Sequence, residues 1–195
     1  MKRTSNAFQL TYLAIMTAIV VVLQLMGSFI HLGAFSISLV LLPIVLGVVV
    51  GGPIAGLWLG LVFGATVLFS GDAALFLGIN AFGTILTVLL KGMLCGLLAG
   101  LVFKLLQKTN LYLATLCAAI VCPLVNTGIF LLGTRIFFWG WVTEMAQGAG
   151  SAAWTWVFVG LIGANFLFEL LFNIVLSPAL IRMISATNLR RFLKK

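Results

Sequence analysis

Two charged residues sit inside stretches otherwise apolar enough to cross a bilayer: Lys91 in TVLLKGMLCGLLAG and Glu169 in ANFLFELLFN. At about 100° per residue, Asn80, Thr84, Thr87 and Lys91 fall within about 60° of one another on a helix, forming one polar stripe. Asn165, Glu169 and Asn173 are spaced four apart and drift only about 40° per step. Asn126 and Thr127 follow Pro123 in CPLVNTG. A charge at the bilayer centre costs at least ~2.5–3.5 kcal/mol, so Lys91 and Glu169 should face the bundle interior or a wet cavity. Three helices then converge on one polar pocket, where an ammonium could hold a carboxylate and amides and hydroxyls could bond a polar ligand. The competing roles are a Lys91–Glu169 salt bridge that fixes helix register and a proton relay in an ion-coupled carrier. Acid–base catalysis by Glu169 and His31 is disfavoured, because one lies mid-span and the other in a loop.

The composition calls for these spans. The chain is 63% hydrophobic and 7% charged over 195 residues, well above the roughly 45–50% apolar content of soluble domains. The expected fold is an all-α integral membrane protein: one domain, 1–195, a compact bundle of about six helices near 8–28, 36–50, 53–69, 83–107, 111–133 and 154–181. The opening MKRTSN resembles a signal peptide, but the apolar stretch after it is too long and lacks a small-x-small site, so it reads as the first membrane helix.

The net charge of +8 could suggest a nucleic-acid partner, but its distribution points to topology. Nine of the eleven basic residues, Lys2, Arg3, Lys104, Lys108, Arg182, Arg190, Arg191, Lys194 and Lys195, share one face if the N-terminus is cytosolic. Asp72 and Glu144 fall on the other face with Arg135. The positive-inside rule then puts both termini in the cytosol. The tail RRFLKK serves as a topology signal, with anionic lipid as its alternative partner.

Other chemistry is poorly supported. Cys95, Cys117 and Cys122 lie in spans without a C-x-x-C, and His31 is the single histidine, so metal, redox and hydrolase signatures are lacking. No Walker A loop is present. The chain is not expected to be an enzyme or to bind a cofactor.

Small residues supply the packing surfaces. Gly52, Gly56, Gly60 and Gly64 recur every four residues, as do Gly92, Gly96 and Gly100; such ladders let backbones approach closely in lipid. The second ladder points roughly 100–180° away from Lys91, separating packing from polarity. Ala14 and Ala18 make a further small strip on the first helix. Lys91 lies roughly 10 Å inside the outer end of its span, so the pocket should open outward. The aromatic run FFWGW (137–141), Trp154 and Trp156 crowd that side, as an interfacial belt or as a lid.

Six short helices, cytosolic termini, the Ala14/Ala18 strip, long outer connections after helices one, three and five, and FSISLVLLPIVLGVVVGGPIAGLWLGLVFG resemble, over essentially the whole chain, the substrate-binding S-components of energy-coupling factor (ECF) vitamin transporters. The resemblance implies that Ala14 and Ala18 contact a membrane coupling protein of EcfT type, and that two cytosolic ATPases of EcfA type use the ATP. It implies an outward site built from the first and third outer loops and helices four to six, toppling of the subunit during transport, and residence in a bacterial plasma membrane. VLQLMGSFIHLGAFSISLVLLPIVLG and PLVNTGIFLLG look most like members assigned to pantothenate, whose carboxylate suits Lys91; riboflavin, folate and thiamin are alternatives. The candidate substrate-binding set is Lys91, Asn80, Thr84, Thr87, Asn126, Asn165, Glu169, Asn173 and His31.

Overall fold

The computed structural model describes residues 2–28, 31–32, 35–36 and 39–186. Helix α1 (Lys2–Gly27) leads to a two-residue antiparallel ladder, β1 (His31–Leu32) with β2 (Phe35–Ser36), in which His31 faces Ser36 and Leu32 faces Phe35. Then follow α2 (Leu41–Ser70), α3 (Ala74–Ile79), α4 (Ala81–Leu106), α5 (Leu111–Phe137), α6 (Trp139–Gly148), α7 (Ala153–Thr155), a π-helical stretch Trp156–Ile162, and α8 (Gly163–Ala186). The side chains of His31 and Asn165, and the basic tail 187–195, lie outside the described residues.

The structure forms one broken element from the two separate helices expected at 36–50 and 53–69. Phe35–Ser36 belong to the ladder, and α2 starts only at Leu41, with Pro43 in the first turn where its missing N–H costs nothing. Gly52 interrupts the helix at φ 73°, ψ −164°. That conformation is open to glycine, and Pro53 also disfavours a helical residue before it. The first arm, 41–51, is only about 16 Å long at 1.5 Å per residue, too short for a hydrocarbon core of about 30 Å. It is apolar all round, and Leu41, Ile44, Val45 and Val48 are fully buried, as expected for a helix enclosed by others. Tyr12 of α1 reaches it, donating its hydroxyl to the Leu46 carbonyl at 3.3 Å.

Among the described residues, four helices are long and apolar enough to cross a membrane, and a fifth span results if the bent pair Ala153–Ile162 and Phe166–Pro178 is counted as one. With the bent pair counted as one span, the single span missing from six is the first arm of α2.

The glycine ladders meet. A Cβ on Gly56 would overlap the Gly96 carbonyl, one on Gly60 the Gly92 carbonyl, and one on Gly64 would sit 2.8 Å from the Val88 carbonyl oxygen. Gly100 faces Pro53 in the same way. The partner numbers fall as the α2 numbers rise, so the second arm of α2 and α4 run antiparallel with their backbones in contact. Gly52, counted in the ladder by spacing, meets nothing within 4 Å and acts instead as the break.

These contacts define two ends of the bundle. Gly52–Pro53, Lys104 and Lys108 lie at one; Gln24, Asp72, α3, Asn80 and Phe137 lie at the other, tied by the Gln24–Asp72 hydrogen bond and by the Phe137 ring against Gly83.

Candidate ligand cavity

A cavity of about 830 Å3, counted out to its open mouth, lies among the C-terminal end of α1, the second arm of α2, α3, α4, α5 and α8, toward the end of the bundle that carries α3. Its polar lining is Gln24, Asp72, Thr84, Thr87, Lys91, Asn126, Thr127 and Glu169; most of the remainder is aromatic or branched aliphatic.

Helix α4 supplies the cation. Its glycine face is used against α2, which leaves Thr84, Thr87 and Lys91 to line the cavity. Lys91 Nζ lies 5.7 Å from the centroid of the Phe63 ring and 5.6 Å from that of Phe130, within the range at which ring faces attract a cation. Thr84 donates its hydroxyl to the Asn80 carbonyl at 2.8 Å. Thr87 Oγ1 has no hydrogen-bond partner among the described residues.

Asn80, expected to bind ligand, is occupied elsewhere and does not line the cavity. It is the N-cap of α4, its side-chain oxygen accepting from the Gly83 N–H at 2.9 Å. Helix periodicity carries Asn80 onto the stripe only if the helix extends back that far, and the backbone leaves helical geometry there, at φ −152°. We expect Asn80→Ala to lower stability by about 1 kcal/mol, the usual value of a cap, with ligand affinity unchanged; thermal unfolding alongside a binding titration checks both.

Helix α5 carries Pro123, and one turn later Asn126 and Thr127 line the cavity. Helix α8 is broken beside it. Gly163 takes φ 24°, ψ −127° after the π-helical turn, and the two segments bend by 45°. The break leaves Leu161, Ile162, Phe166 and Glu169 on the cavity wall. Glu169 is only 6% exposed. Asn173, one turn further on, is 2% exposed but does not reach the cavity.

Gln24 and Asp72 complete the lining without having been expected there. Gln24 is the one polar side chain in VVVLQLMG, which was the available signal; Asp72 reads from sequence only as a loop charge. Gln24 Nε2 donates to Asp72 Oδ2 at 2.6 Å, and Ser70 Oγ donates to the same oxygen at 3.2 Å. Gln24 Oε1 and Asn126 Oδ1 join Thr87 Oγ1 as buried oxygens without a partner among the described residues. All three residues line this cavity. An unmet buried polar group costs about 1–3 kcal/mol, which a ligand bearing matching hydrogen-bond groups would recover.

The aromatic run divides between the two roles considered for it. Phe138 is buried and packs edge-on to Phe76 at 5.0 Å; Trp141 packs on Phe76 at 5.7 Å and on Trp156 at 5.5 Å, so this group roofs the cavity. Trp139 packs on the edge of the same cluster, against Trp154 at 4.7 Å and under the Arg135 guanidinium at 4.5 Å.

A second surface lies on α1. Ala7, Thr11, Ala14 and Ala18, at helical spacings of four, three and four, are all exposed, so the small strip points away from the bundle.

A family model described as "ECF transporter, substrate-specific component" matches residues 8–181. No curated protein and no solved structure gives a match.

Proposed function

Because the chain belongs to the family of ECF transporter substrate-specific components, we propose that it is the high-affinity membrane subunit that captures a small water-soluble vitamin, best matched by pantothenate, for an ECF importer. The family is one of transporter components rather than enzymes, and membership implies association with coupling and ATPase components. In our reading these are an EcfT-type membrane protein and two EcfA-type ATPases that consume the ATP, and the complex sits in a bacterial plasma membrane with both termini of this chain cytosolic. The chain itself binds no cofactor. Lys91 takes the ligand carboxylate, and Thr87, Asn126 and Glu169 surround its amide.

The observation that carries this reading is the cavity itself: a lysine between two phenyl rings, in a cavity lined by buried oxygens that have no partner among the described residues. Mass spectrometry of small molecules released from the purified protein tests it, with pantothenate expected. Recovery of riboflavin, folate or thiamin instead would replace the substrate assignment and keep the transporter class.

The exposed Ala14/Ala18 strip supports a docking role toward the coupling protein. Ala14→Trp and Ala18→Trp are each expected to abolish uptake by the assembled importer while leaving ligand affinity of the isolated subunit within about twofold, since an exposed substitution leaves the bundle largely undisturbed. Loss of binding as well would make the strip part of the internal packing.

A stand-alone ion-coupled carrier is the second reading, favoured by the break at Gly163 beside the cavity, since such carriers bind their cargo at interrupted helices. Reconstituting the chain alone in vesicles under an imposed proton gradient separates the two; robust uptake without ATPases would favour the carrier.

A further inference from the structure

We propose that Gln24 and Asp72 form a second recognition subsite in the cavity, one that selects ligands whose end remote from the anion bears O–H or N–H donors. The inference rests on the reading that the cavity binds a small organic acid. Neither residue belongs to helices four to six or to the first or third outer connection, the parts that family resemblance assigns to binding.

The geometry is specific about polarity. Gln24 is 3% exposed, lines the cavity, and donates one amide N–H to Asp72, which points its nitrogen at the carboxylate and leaves its oxygen for another partner. That Oε1 has no partner among the described residues. Hydrogen bonds from Gln24 Nε2 and Ser70 Oγ converge on Asp72 Oδ2, which orients the carboxylate. The subsite therefore presents mainly acceptors: a carboxylate and the oxygen of an amide whose nitrogen has one N–H committed to that carboxylate. Such a surface accepts hydrogen bonds from a hydroxyl, an amide N–H or an amine and rejects a second anion. Lys91 supplies the opposite polarity in the same cavity. A ligand filling both places needs an anionic group at one end and donors at the other, and a site built to bond a hydroxyl discriminates strongly against the analogue lacking it.

The test measures binding by the full chain in lipid nanodiscs, by calorimetry, with pantothenate and with N-(3,3-dimethylbutanoyl)-β-alanine, which keeps the carboxylate, the amide and the branched carbon skeleton but lacks both hydroxyls. The unsubstituted protein is expected to prefer pantothenate by about tenfold or more, as for a hydrogen bond to a charged group. Gln24→Met and Asp72→Ala are each expected to remove most of that preference, weakening pantothenate about tenfold and leaving the analogue within about twofold. Asp72 is half-buried at the mouth, so its variant decides the matter if Gln24→Met does not fold. Equal weakening of both compounds, or of neither, overturns the subsite while the proposed function stands. Failure of the unsubstituted protein to bind either compound overturns the organic-acid reading and this assignment with it.

Discussion

Lys91→Ala is expected to weaken ligand binding by more than about tenfold, the loss of one charge-assisted hydrogen bond, while the protein still expresses and elutes as a single species. Lys91 is placed for this by the two faces of α4. Gly92 and Gly96 hold the helix backbone against α2, and Lys91 extends into the cavity between Phe63 and Phe130. The competing role, neutralising Glu169, has a different signature. Removing one partner of a buried ion pair costs about 3–5 kcal/mol of stability. Under that role Lys91→Ala lowers the unfolding temperature sharply, and adding Glu169→Gln restores it. Under the ligand-binding role the double variant stays as weak in binding as the single one. Calorimetry on Lys91→Ala and on the double variant, paired with thermal unfolding, separates the two. Unchanged affinity for an anionic ligand would assign the lysine to structure.

Gly96→Leu is expected to abolish the folded state. The atoms a Cβ would meet there belong to the backbone of Gly56, so no side chain can turn aside and the two helices must separate. Overpacking costs of about 3 kcal/mol or more are then expected at this one position. Parting α2 from α4 would also lose the contacts at Gly60–Gly92 and Pro53–Gly100. The comparison is Gly128→Ala on α5, where an added Cβ meets nothing within 4 Å. It should be tolerated, or stabilise by up to about 1 kcal/mol through helix propensity. Size-exclusion profiles in detergent distinguish the two, with aggregated or absent Gly96→Leu protein beside monodisperse Gly128→Ala. A well-folded Gly96→Leu protein would mean that the ladders are not in backbone contact.

Particular residues show how far the site could be read in advance. Thr84, Thr87 and Lys91 share a cavity because they share a helix face, and the 100° turn that puts them there is a property of neighbouring residues. Asn126 and Glu169 follow from the cost of placing polar groups in lipid. Asn80 leaves the stripe because the same arithmetic does not report where a helix begins: one residue before α4 starts, its side-chain oxygen caps the backbone. The segments 36–50 and 53–69 were legible as apolar. That the first becomes a short arm enclosed in the core depends on a left-handed glycine and on which helices surround it.

Composition, helical period and the spacing of small residues were thus enough to define a membrane bundle, the polar face of α4 and the glycine surfaces, because solvation cost and helical turn act between residues close in sequence. Only the folded chain decided that the two glycine ladders bind each other, that the aromatic run splits between roof and rim, and that Gln24 meets Asp72, 48 positions away. A cavity is the space left when distant elements pack. Its full lining is therefore set by which faces meet, at a range that local periodicity does not reach.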